Sequence, residues 1–396
     1  MANVRGGKLV SHPVVDRVDE LKFDAGLIAR VVARFKAQQS SSAFPGGQLV
    51  VRRNGKLIVN EAIGLARGYR KDEGPAAQAT PETLFPAYSC GKPLAAITIA
   101  LLEDRGRLDP HAPIAEVFPE FARNGKAQIT TLDVLTHRSG ILLPHLVSKM
   151  ECWGDREIIA HHLENSTPVY RRGTLAYAPW EYGWILSEIV KRVDGRRLTD
   201  FFAEEIATPL NLPELRFGLG GRDPKSIAHA YWLGKDKLMV AGVNVAHRFE
   251  EEYNAEAFFE SLNPACTLIS NAASLASFYD FMLRDGTTTT GEQLISGKVL
   301  RQYTTRNVFG FCRSLKTFIA VGRGFTLGTL APSMFGWWNT GQCFGHGGVF
   351  SCLAGADYRT GMSIAILTNG NRSIMDFTKR FIPLTHGIRH ACFNVA

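Results

Sequence analysis

The sequence lacks the features that mark zinc-stabilised, membrane-spanning or exported proteins. Its seven cysteines are scattered with no C-x-x-C pair, which excludes a zinc ribbon or a thioredoxin motif. The longest mainly apolar stretch, residues 93–102, is too short for a helix across a bilayer of about 30 Å. The N-terminal stretch has no apolar segment typical of a signal peptide. These absences predict a cytoplasmic protein in a reducing compartment, with no membrane partner.

Charge runs are also missing, since no block of five like charges occurs. The 45 basic and 37 acidic residues leave a net charge of +8, spread among acids and apolar residues, so we expect no nucleic-acid partner. Hydrophobic residues make up 45% of the 396 and charged residues 21%, which excludes a disordered chain. A chain of this length is expected to form two or three structural units.

The coarse order of predicted elements is a hairpin, a helical middle and a late pair of strands. The hairpin covers residues 48–62 and turns at Asn54-Gly55, two residue types that tolerate the positive φ of a type I′ turn. Residues 65–87 are rich in Gly, Pro, Ala and Thr and are predicted as loop. A wholly apolar helix follows Ser89, and a final amphipathic helix covers 375–388.

Strands and helices do not alternate along the chain, which disfavours a doubly wound parallel sheet. The sequence instead predicts an α+β fold. Its antiparallel sheet is flanked by helices and built from both chain ends, with a mostly helical subdomain inserted. The predicted boundaries are 22–85 plus 265–396 for the α/β subdomain and 86–264 for the helical one.

The sharpest chemical candidate is the S-C-G-K sequence from Ser89 to Lys92. Positions i and i+3 share one face of a helix, so the lysine is expected beside the serine hydroxyl. Burial disfavours the charged amine, which could then accept the serine proton. The alternative is an N-cap serine with a surface lysine, but ten mainly apolar residues follow Lys92 and disfavour it.

A second candidate is Tyr177, in a Gly- and Pro-containing loop just before a predicted helix. Beside a cation, its phenol would ionise more easily and could shuttle a proton, although most tyrosines simply pack. The third candidate is F-G-H-G-G-V-F at 344–350, where glycines let a ligand approach the backbone. His346 could be a general base or a ligand. No second His or Cys stands at ligand spacing, so we expect no metal and no cofactor.

These motifs, in this order, resemble the serine β-lactamase and penicillin-binding-protein family. The closest resemblance is to its class C-like branch, which includes family VIII carboxylesterases, D-amino-acid-peptide hydrolases and polyketide acyltransferases. It covers roughly residues 25–372. The supporting segments are P-G-G-Q-L-V-V-R-R-N-G-K-L-I-V at 45–59, T-P-E-T-L-F at 80–85, I-T-T-L-D-V-L-T-H-R-S-G at 129–140, A-T-P-L-N-L-P at 207–213 and F-G-H-G-G at 344–348.

The resemblance implies a role for each motif. Ser89 would be the acylated nucleophile, with Lys92 and Tyr177 as the proton-transfer pair. The backbone N–H groups of Ser89 and Val349 would form the oxyanion hole. His346-Gly347-Gly348 replaces the family's K-T-G, and His346 would lie at the rim of the site. The substrate would be a small-molecule ester or amide.

Two departures from the family pattern bear on the substrate. The family's Y-x-N is Tyr177-Ala178-Pro179 here, so the amide that helps to hold a β-lactam side chain is missing. The K-T-G lysine, which favours a substrate carboxylate, is histidine. Both changes predict esters or small amides over β-lactams. Trp180, Trp337 and Trp338 are predicted to line an apolar acyl or alcohol pocket, with core packing as the alternative.

Four other interpretations remain open, and one of them is a β-lactamase or D-aminopeptidase of the same family. An α/β-hydrolase would use Ala87-Tyr88-Ser89-Cys90-Gly91 as its elbow and His346 as its base, but no long apolar strand is predicted before Ser89. A catalytically silent ligand-binding scaffold could share the fold. An acyltransferase would pass the acyl group to an alcohol or amine. Cys90, next to the nucleophile, is expected to make the site sensitive to thiol reagents.

Overall fold

The computed structural model describes residues 22–393 except 148, 236, 238, 241–242, 245, 337–340 and 350. Within these residues the strands, in chain order, are β1 (Gly46–Arg53), β2 (Lys56–Arg67), β3 (Ala77–Gln78), β4 (Phe85–Tyr88), β5 (Arg216–Phe217), β6 (Tyr231–Trp232), β7 (Met239–Val240), β8 (Val243–Asn244), β9 (Leu268–Ser270), β10 (Val308–Cys312), β11 (Thr317–Val321), β12 (Thr326–Leu327), β13 (Cys343–Gly348), β14 (Cys352–Asp357), β15 (Met362–Thr368) and β16 (Gly370–Asn371).

The same residues form helices of very different lengths. In chain order these are α1 (Ala25–Ser40), α2 (Gly91–Asp104), α3 (Thr131–Leu135), α4 (Arg156–Asn165), α5 (Glu181–Asp194), α6 (Leu198–Phe202), α7 (Phe249–Tyr253), α8 (Glu256–Glu260), α9 (Ala272–Leu283), α10 (Gly297–Thr304) and α11 (Ile374–Phe393). Among the described residues, no helix is both long and apolar enough to cross a membrane.

The main sheet joins the two ends of the chain. Nine described strands follow the order β10-β11-β12-β13-β14-β15-β1-β2-β3, and every neighbouring pair is antiparallel. Strand β1 pairs with β15 in the register Gly47 to Thr368, more than three hundred residues away in sequence. The predicted α+β fold, with an antiparallel sheet built from both ends, is confirmed.

The predicted β1–β2 turn is also confirmed. Asn54 and Gly55 have φ values of +49° and +78°, the left-handed pair that a two-residue type I′ turn requires. The turn fixes the register, and a bulge between Val51 and Arg52 adds a local irregularity.

Both faces of the central strands are buried. Along β1, Leu49 and Val51 pack with residues of α1 and α11, including Phe35 and Phe381. Val50, which points to the other face, belongs to the core that contains α2 and α9. This alternation explains why strand β1 is apolar at consecutive positions, since neither face meets water.

Helix α2 is the centre of the larger core. All residues from Gly91 to Leu102 are buried, as predicted from the absence of a polar face. The helix packs against α5, α6, α10 and strand β13. Its first turn therefore lies where the helical middle of the chain meets the main sheet.

The prediction of a loop over residues 65–87 is wrong in part. Strand β2 continues to Arg67, β3 pairs with it, and β4 pairs with β9 in a separate three-stranded sheet of order β4-β9-β5. Proline within a short apolar run argues against a strand, so Pro86 led to the prediction of a loop. The partner strand lies about 180 residues away, and no local sequence pattern indicates the pairing. The predicted subdomain boundary at residues 85 and 86 runs through β4, and the division itself stays a prediction.

Candidate active site

Ser89 stands at the junction of a strand and a helix. Strand β4 ends at Tyr88, whose φ of +48° is unusual for a bulky residue, and α2 begins at Gly91. A Cβ on Gly91 would lie 2.5 Å from the carbonyl oxygen of Pro264, so only glycine fits there. The sharp junction holds the Ser89 hydroxyl at the N-terminal end of a buried helix, where backbone N–H groups favour negative charge.

Lys92 is completely buried and makes three hydrogen bonds. Its Nζ lies 3.2 Å from Ser89 Oγ and donates to the carbonyl oxygens of Pro179 at 2.7 Å and Ala265 at 3.0 Å. Burial lowers the pKa of Lys92 from its ordinary value to about 7, despite the acid Glu181 nearby. Near neutral pH, a large fraction of this amine is therefore uncharged.

Tyr177 completes the arrangement around Ser89. Its hydroxyl donates to Ser89 Oγ at 3.2 Å, and Lys92 Nζ lies 5.0 Å from the centre of its ring. Burial raises the pKa of Tyr177 far above its usual value. The expectation that a nearby cation would make this phenol easier to ionise is wrong, because desolvation of the phenolate outweighs the lowering of the pKa by the hydrogen bond with Ser89. Tyr177 is a neutral hydrogen-bond donor.

Several groups that hold these side chains were not predicted. The ring of His137 lies 4.6 Å from the ring of Tyr177, and its Nδ1 accepts from the N–H of Ala178 at 3.2 Å. Asn263 donates to the carbonyl of Trp180 and accepts from the N–H of Ala265. His137 falls within the T-H-R-S-G segment that carried the family resemblance, whereas Asn263 had no sequence signal.

Strand β13 brings the H-G-G triplet to the same cavity. His346 is buried with 6% of its surface exposed, which corrects the prediction that it lies at the rim. Burial and the amine of Lys92 lower the pKa of His346 to about 3, so the ring is neutral. Its Nδ1 lies 2.7 Å from the carbonyl of Gly347, and its Nε2 has no partner among the described residues.

The two residues that follow on this strand lie against the nucleophile. A Cβ on Gly348 would lie 2.4 Å from the carbonyl oxygen of Ala87, two residues before Ser89, so this position requires glycine. Val349 has a φ of +35° and lines the same cavity as Ser89. The end of β13 thus lies against the segment that leads to Ser89, and the oxyanion hole of Ser89 and Val349 stays a prediction.

The cavity has a volume of about 250 Å³ and is mostly apolar away from the serine. Its walls include Trp180, Ile319, Phe325 and Phe377. Trp180 is itself buried and packs on Trp153, with ring centres 5.4 Å apart, so it both lines the cavity and belongs to the core. The predicted pocket residues Trp337 and Trp338 lie outside the described residues.

Cys90 does not face the cavity. It is completely buried, and its Sγ donates to the carbonyl oxygen of His346 at 3.3 Å. Burial raises the pKa of the Cys90 thiol well above its ordinary value, which leaves it protonated. The expectation that Cys90 makes the site sensitive to thiol reagents is wrong, because an inaccessible thiol is a poor nucleophile.

Among the described residues, the one group with metal-ligand geometry lies outside the cavity. It consists of Glu73, His229 and Glu250. These side chains already have partners, since Arg70 pairs with Glu250 and the hydroxyl of Tyr231 donates to Glu73. The cluster reads as a surface ion-pair network.

Comparison with known proteins gives a consistent picture. The beta-lactamase family model matches residues 28–384. An esterase/beta-lactamase named LipL from Mycobacterium tuberculosis is 25% identical over 392 residues, covering 92% of this chain and 86% of that protein. The crystal structure of a penicillin-binding protein homologue from Caulobacter crescentus superposes with a TM-score of 0.79 at 25% identity, covering 92% of this chain and 97% of that one. A family VIII carboxylesterase superposes at 0.78 with 22% identity, covering 93% and 98%.

Proposed function

The chain belongs to the beta-lactamase family, and we propose that it is a serine hydrolase that cleaves carboxylic esters or small amides through an acyl-enzyme. The observation that carries the proposal is the set of acceptors around Lys92. A neutral amine has two N–H bonds, and the carbonyls of Pro179 and Ala265 accept two hydrogen bonds from it. Its lone pair then faces Ser89 Oγ, which is the geometry of a general base.

The proposed reaction follows from these contacts. Ser89 Oγ attacks the substrate carbonyl carbon while its proton moves to Lys92 Nζ. The oxyanion that forms accepts hydrogen bonds from the backbone N–H groups of Ser89 and Val349. As the C–O or C–N bond breaks, the proton returns from Lys92 to the leaving group, with the Tyr177 hydroxyl donating to the reacting oxygens. Water then attacks the acyl-enzyme by the same route and releases the acid.

The absence of a side-chain amide at Pro179 favours esters over β-lactams as substrates. At the family's asparagine position, Pro179 has no side-chain hydrogen-bonding group. Its backbone carbonyl already accepts a hydrogen bond from Lys92. No side-chain amide is therefore available there for a β-lactam. The mostly apolar cavity suits an acyl chain, and the relative LipL is described as an esterase/beta-lactamase. The H-G-G triplet supports the same preference, because a neutral His346 cannot pair with a substrate carboxylate.

Two other functions use the same residues differently. An acyltransferase would form the same acyl-enzyme and pass it to an alcohol or amine in place of water. A silent scaffold would bind ligands without turnover, but an uncharged lysine directed at a serine has no use in such a protein.

A substrate panel tests the proposal. It contains p-nitrophenyl acetate, butyrate and octanoate, nitrocefin and a D-amino-acid amide, each with and without an added alcohol acceptor. We expect ester turnover with little nitrocefin hydrolysis. An ester formed with the added alcohol would favour the acyltransferase. The absence of both turnover and a fluorophosphonate adduct would favour the catalytically silent scaffold.

We expect Tyr177→Phe to lower kcat/KM for p-nitrophenyl butyrate by about 10²- to 10⁴-fold, because it removes the proton donor to Ser89 Oγ. Tyr182→Phe is the matched control, since its hydroxyl is also buried but donates to the carbonyl of Lys92. The control is expected to stay within about fivefold of the unmodified protein. Equal losses in the two variants would remove Tyr177 from the mechanism.

His346→Ala separates the proposal from an α/β-hydrolase. The strand before Ser89, β4, has only four residues, and His346 has no carboxylate partner among the described residues, so no triad is formed. We expect a change in kcat below about tenfold, whereas a triad histidine would cost about 10⁴-fold or more. Steady-state kinetics on p-nitrophenyl acetate measure the difference, and a loss of the larger size would support the triad.

A further inference from the structure

Exposed apolar side chains are concentrated on one hairpin of the main sheet. Among the described residues, four of the ten large apolar side chains exposed to solvent belong to residues 308–321, which form β10, β11 and their turn: Phe309, Phe311, Leu315 and Phe318. Such a cluster is unusual on a surface exposed to water and indicates a binding surface for another molecule or a membrane.

The strand register places three of these rings on one face. Phe311 pairs with Phe318 across the two strands, and Phe309 is two positions before Phe311, so all three point outward together. They are 56%, 43% and 65% exposed for Phe309, Phe311 and Phe318. The ring centres of Phe309 and Phe311 lie 6.0 and 5.5 Å from that of Phe318. The result is a continuous aromatic surface.

The charged side chains of the hairpin and its flanks are basic. The sequence contains no aspartate or glutamate from residue 293 to residue 356, while it contains six basic residues. Three of the six, Arg306, Arg313 and Lys316, are exposed at the ends and turn of the hairpin. An aromatic patch with exposed cations at the ends and turn of its hairpin is complementary to an anionic, partly apolar surface.

The opposite face of the same hairpin forms part of the active site. Ile319 and Val321 line the cavity, as does Leu315 at the turn. The N–H of Tyr177 donates to Cys312 Sγ, and the hydroxyl of Ser314 donates to the carbonyl of Tyr177. A surface docked on the outer face would therefore lie behind strands that line the cavity of Ser89.

We propose that the outer face of the β10–β11 hairpin docks this protein on an anionic lipid surface. Aromatic rings settle at the level of lipid headgroups, and nearby Lys and Arg side chains are attracted to anionic lipids. A second copy of the chain is a poorer occupant, because a twofold contact would bring Arg306, Arg313 and Lys316 close to their own copies. The sequence-based expectation of no membrane partner rested on the lack of a membrane-spanning segment. The proposed docking on a lipid surface differs from that expectation.

Docking also has a consequence for the substrate, and this part depends on the proposed function. The mouth of the cavity carries exposed Leu315 on the hairpin and exposed Ile374 at the start of α11. An ester with a long acyl chain could pass from the lipid surface into the cavity along apolar side chains. The substrate class is then a lipid-like ester presented at an interface.

Vesicle sedimentation tests the docking directly. The full-length protein is mixed with vesicles of phosphatidylcholine alone or with about 30% phosphatidylglycerol. We expect binding to the anionic vesicles, little binding to the neutral ones, and loss of binding in about 0.5 M NaCl. The triple variant F309S/F311S/F318S and the double variant R313Q/K316Q are each expected to bind at least about tenfold more weakly.

Matched variants keep the outcome interpretable. I158S/V169S removes two exposed apolar side chains elsewhere and is expected to bind as the unmodified protein does. All these variants should hydrolyse p-nitrophenyl acetate in solution within about twofold of the unmodified rate, which shows that they are folded. Unchanged binding by F309S/F311S/F318S, no binding by the unmodified protein, or its assembly into a dimer that F309S/F311S/F318S abolishes would overturn the docking proposal.

Docking and catalysis can fail separately. Ser89→Ala should bind anionic vesicles normally while lacking esterase activity. Vesicle binding without hydrolysis of any ester would overturn the proposed function and leave the docking surface intact. Ester hydrolysis without vesicle binding would do the reverse. Equal turnover of a long-chain ester by F309S/F311S/F318S and the unmodified protein on anionic vesicles would overturn the interfacial delivery of substrate.

Discussion

Ser89→Ala is expected to lower kcat for p-nitrophenyl esters by about 10⁴- to 10⁶-fold and to abolish labelling by a fluorophosphonate probe. The hydroxyl lies within hydrogen-bond distance of both Lys92 Nζ and the Tyr177 hydroxyl, so its removal leaves nothing to acylate. Intact-mass spectrometry after exposure to the probe gives the labelling result, and steady-state kinetics give the rate.

Ser314→Ala is the matched control for this variant. Ser314 lines the same cavity, but its hydroxyl donates to the carbonyl of Tyr177 and has no basic partner in the part of the chain that the structure describes. We expect normal labelling and a loss of activity below about tenfold. Persistent labelling of Ser89→Ala, or wild-type turnover by it, would show that another residue is the nucleophile.

Lys92→Met is expected to cost about 10²- to 10⁴-fold in kcat/KM, because the side chain keeps its length but loses the lone pair that accepts the serine proton. Lys126→Met supplies a close comparison. Lys126 is a second buried lysine, also held by backbone carbonyls, and burial lowers its pKa to about 8. Since Lys126 has no contact with Ser89, its replacement should affect stability and leave kcat/KM within about threefold.

The same base predicts the pH dependence. Below a pKa of about 7 the Lys92 amine is protonated and cannot accept a proton, so kcat/KM should fall as the pH decreases. Above that pH the amine is free and kcat/KM should reach a plateau. The acidic limb should be absent in Lys92→Met. A plateau that extends unchanged to about pH 5, or an acidic limb that survives the substitution, would assign the base to another group.

Local sequence patterns were sufficient to predict the first hairpin and the contact between Ser89 and Lys92. Asn54-Gly55 set the hairpin through backbone preference, and the spacing of Ser89 and Lys92 set their contact through helix geometry. Tyr177 and the H-G-G triplet reached the same cavity only through tertiary packing, so their placement came from resemblance to a family and not from spacing.

The features that the sequence did not predict depend on the backbone and on tertiary contacts. The two acceptors that orient Lys92 are backbone carbonyls, which every residue has and no sequence pattern marks. The pairing of β4 with β9 depends on contacts across about 180 residues. The pKa directions of Tyr177 and His346 are set by burial, which a list of neighbouring charges in the sequence does not report.

The acceptors around Lys92 also bear on the stage of synthesis at which the proposed site can form. The lysine stands near the start of the chain's helical middle, and its two carbonyl partners follow 87 and 173 residues later. A ribosome-bound chain that ends before Ala265 holds the serine and the lysine but cannot yet turn the amine toward the serine. The proposed esterase activity should therefore require the packing of Ala265 against Lys92, and on refolding it should return after the helical signal.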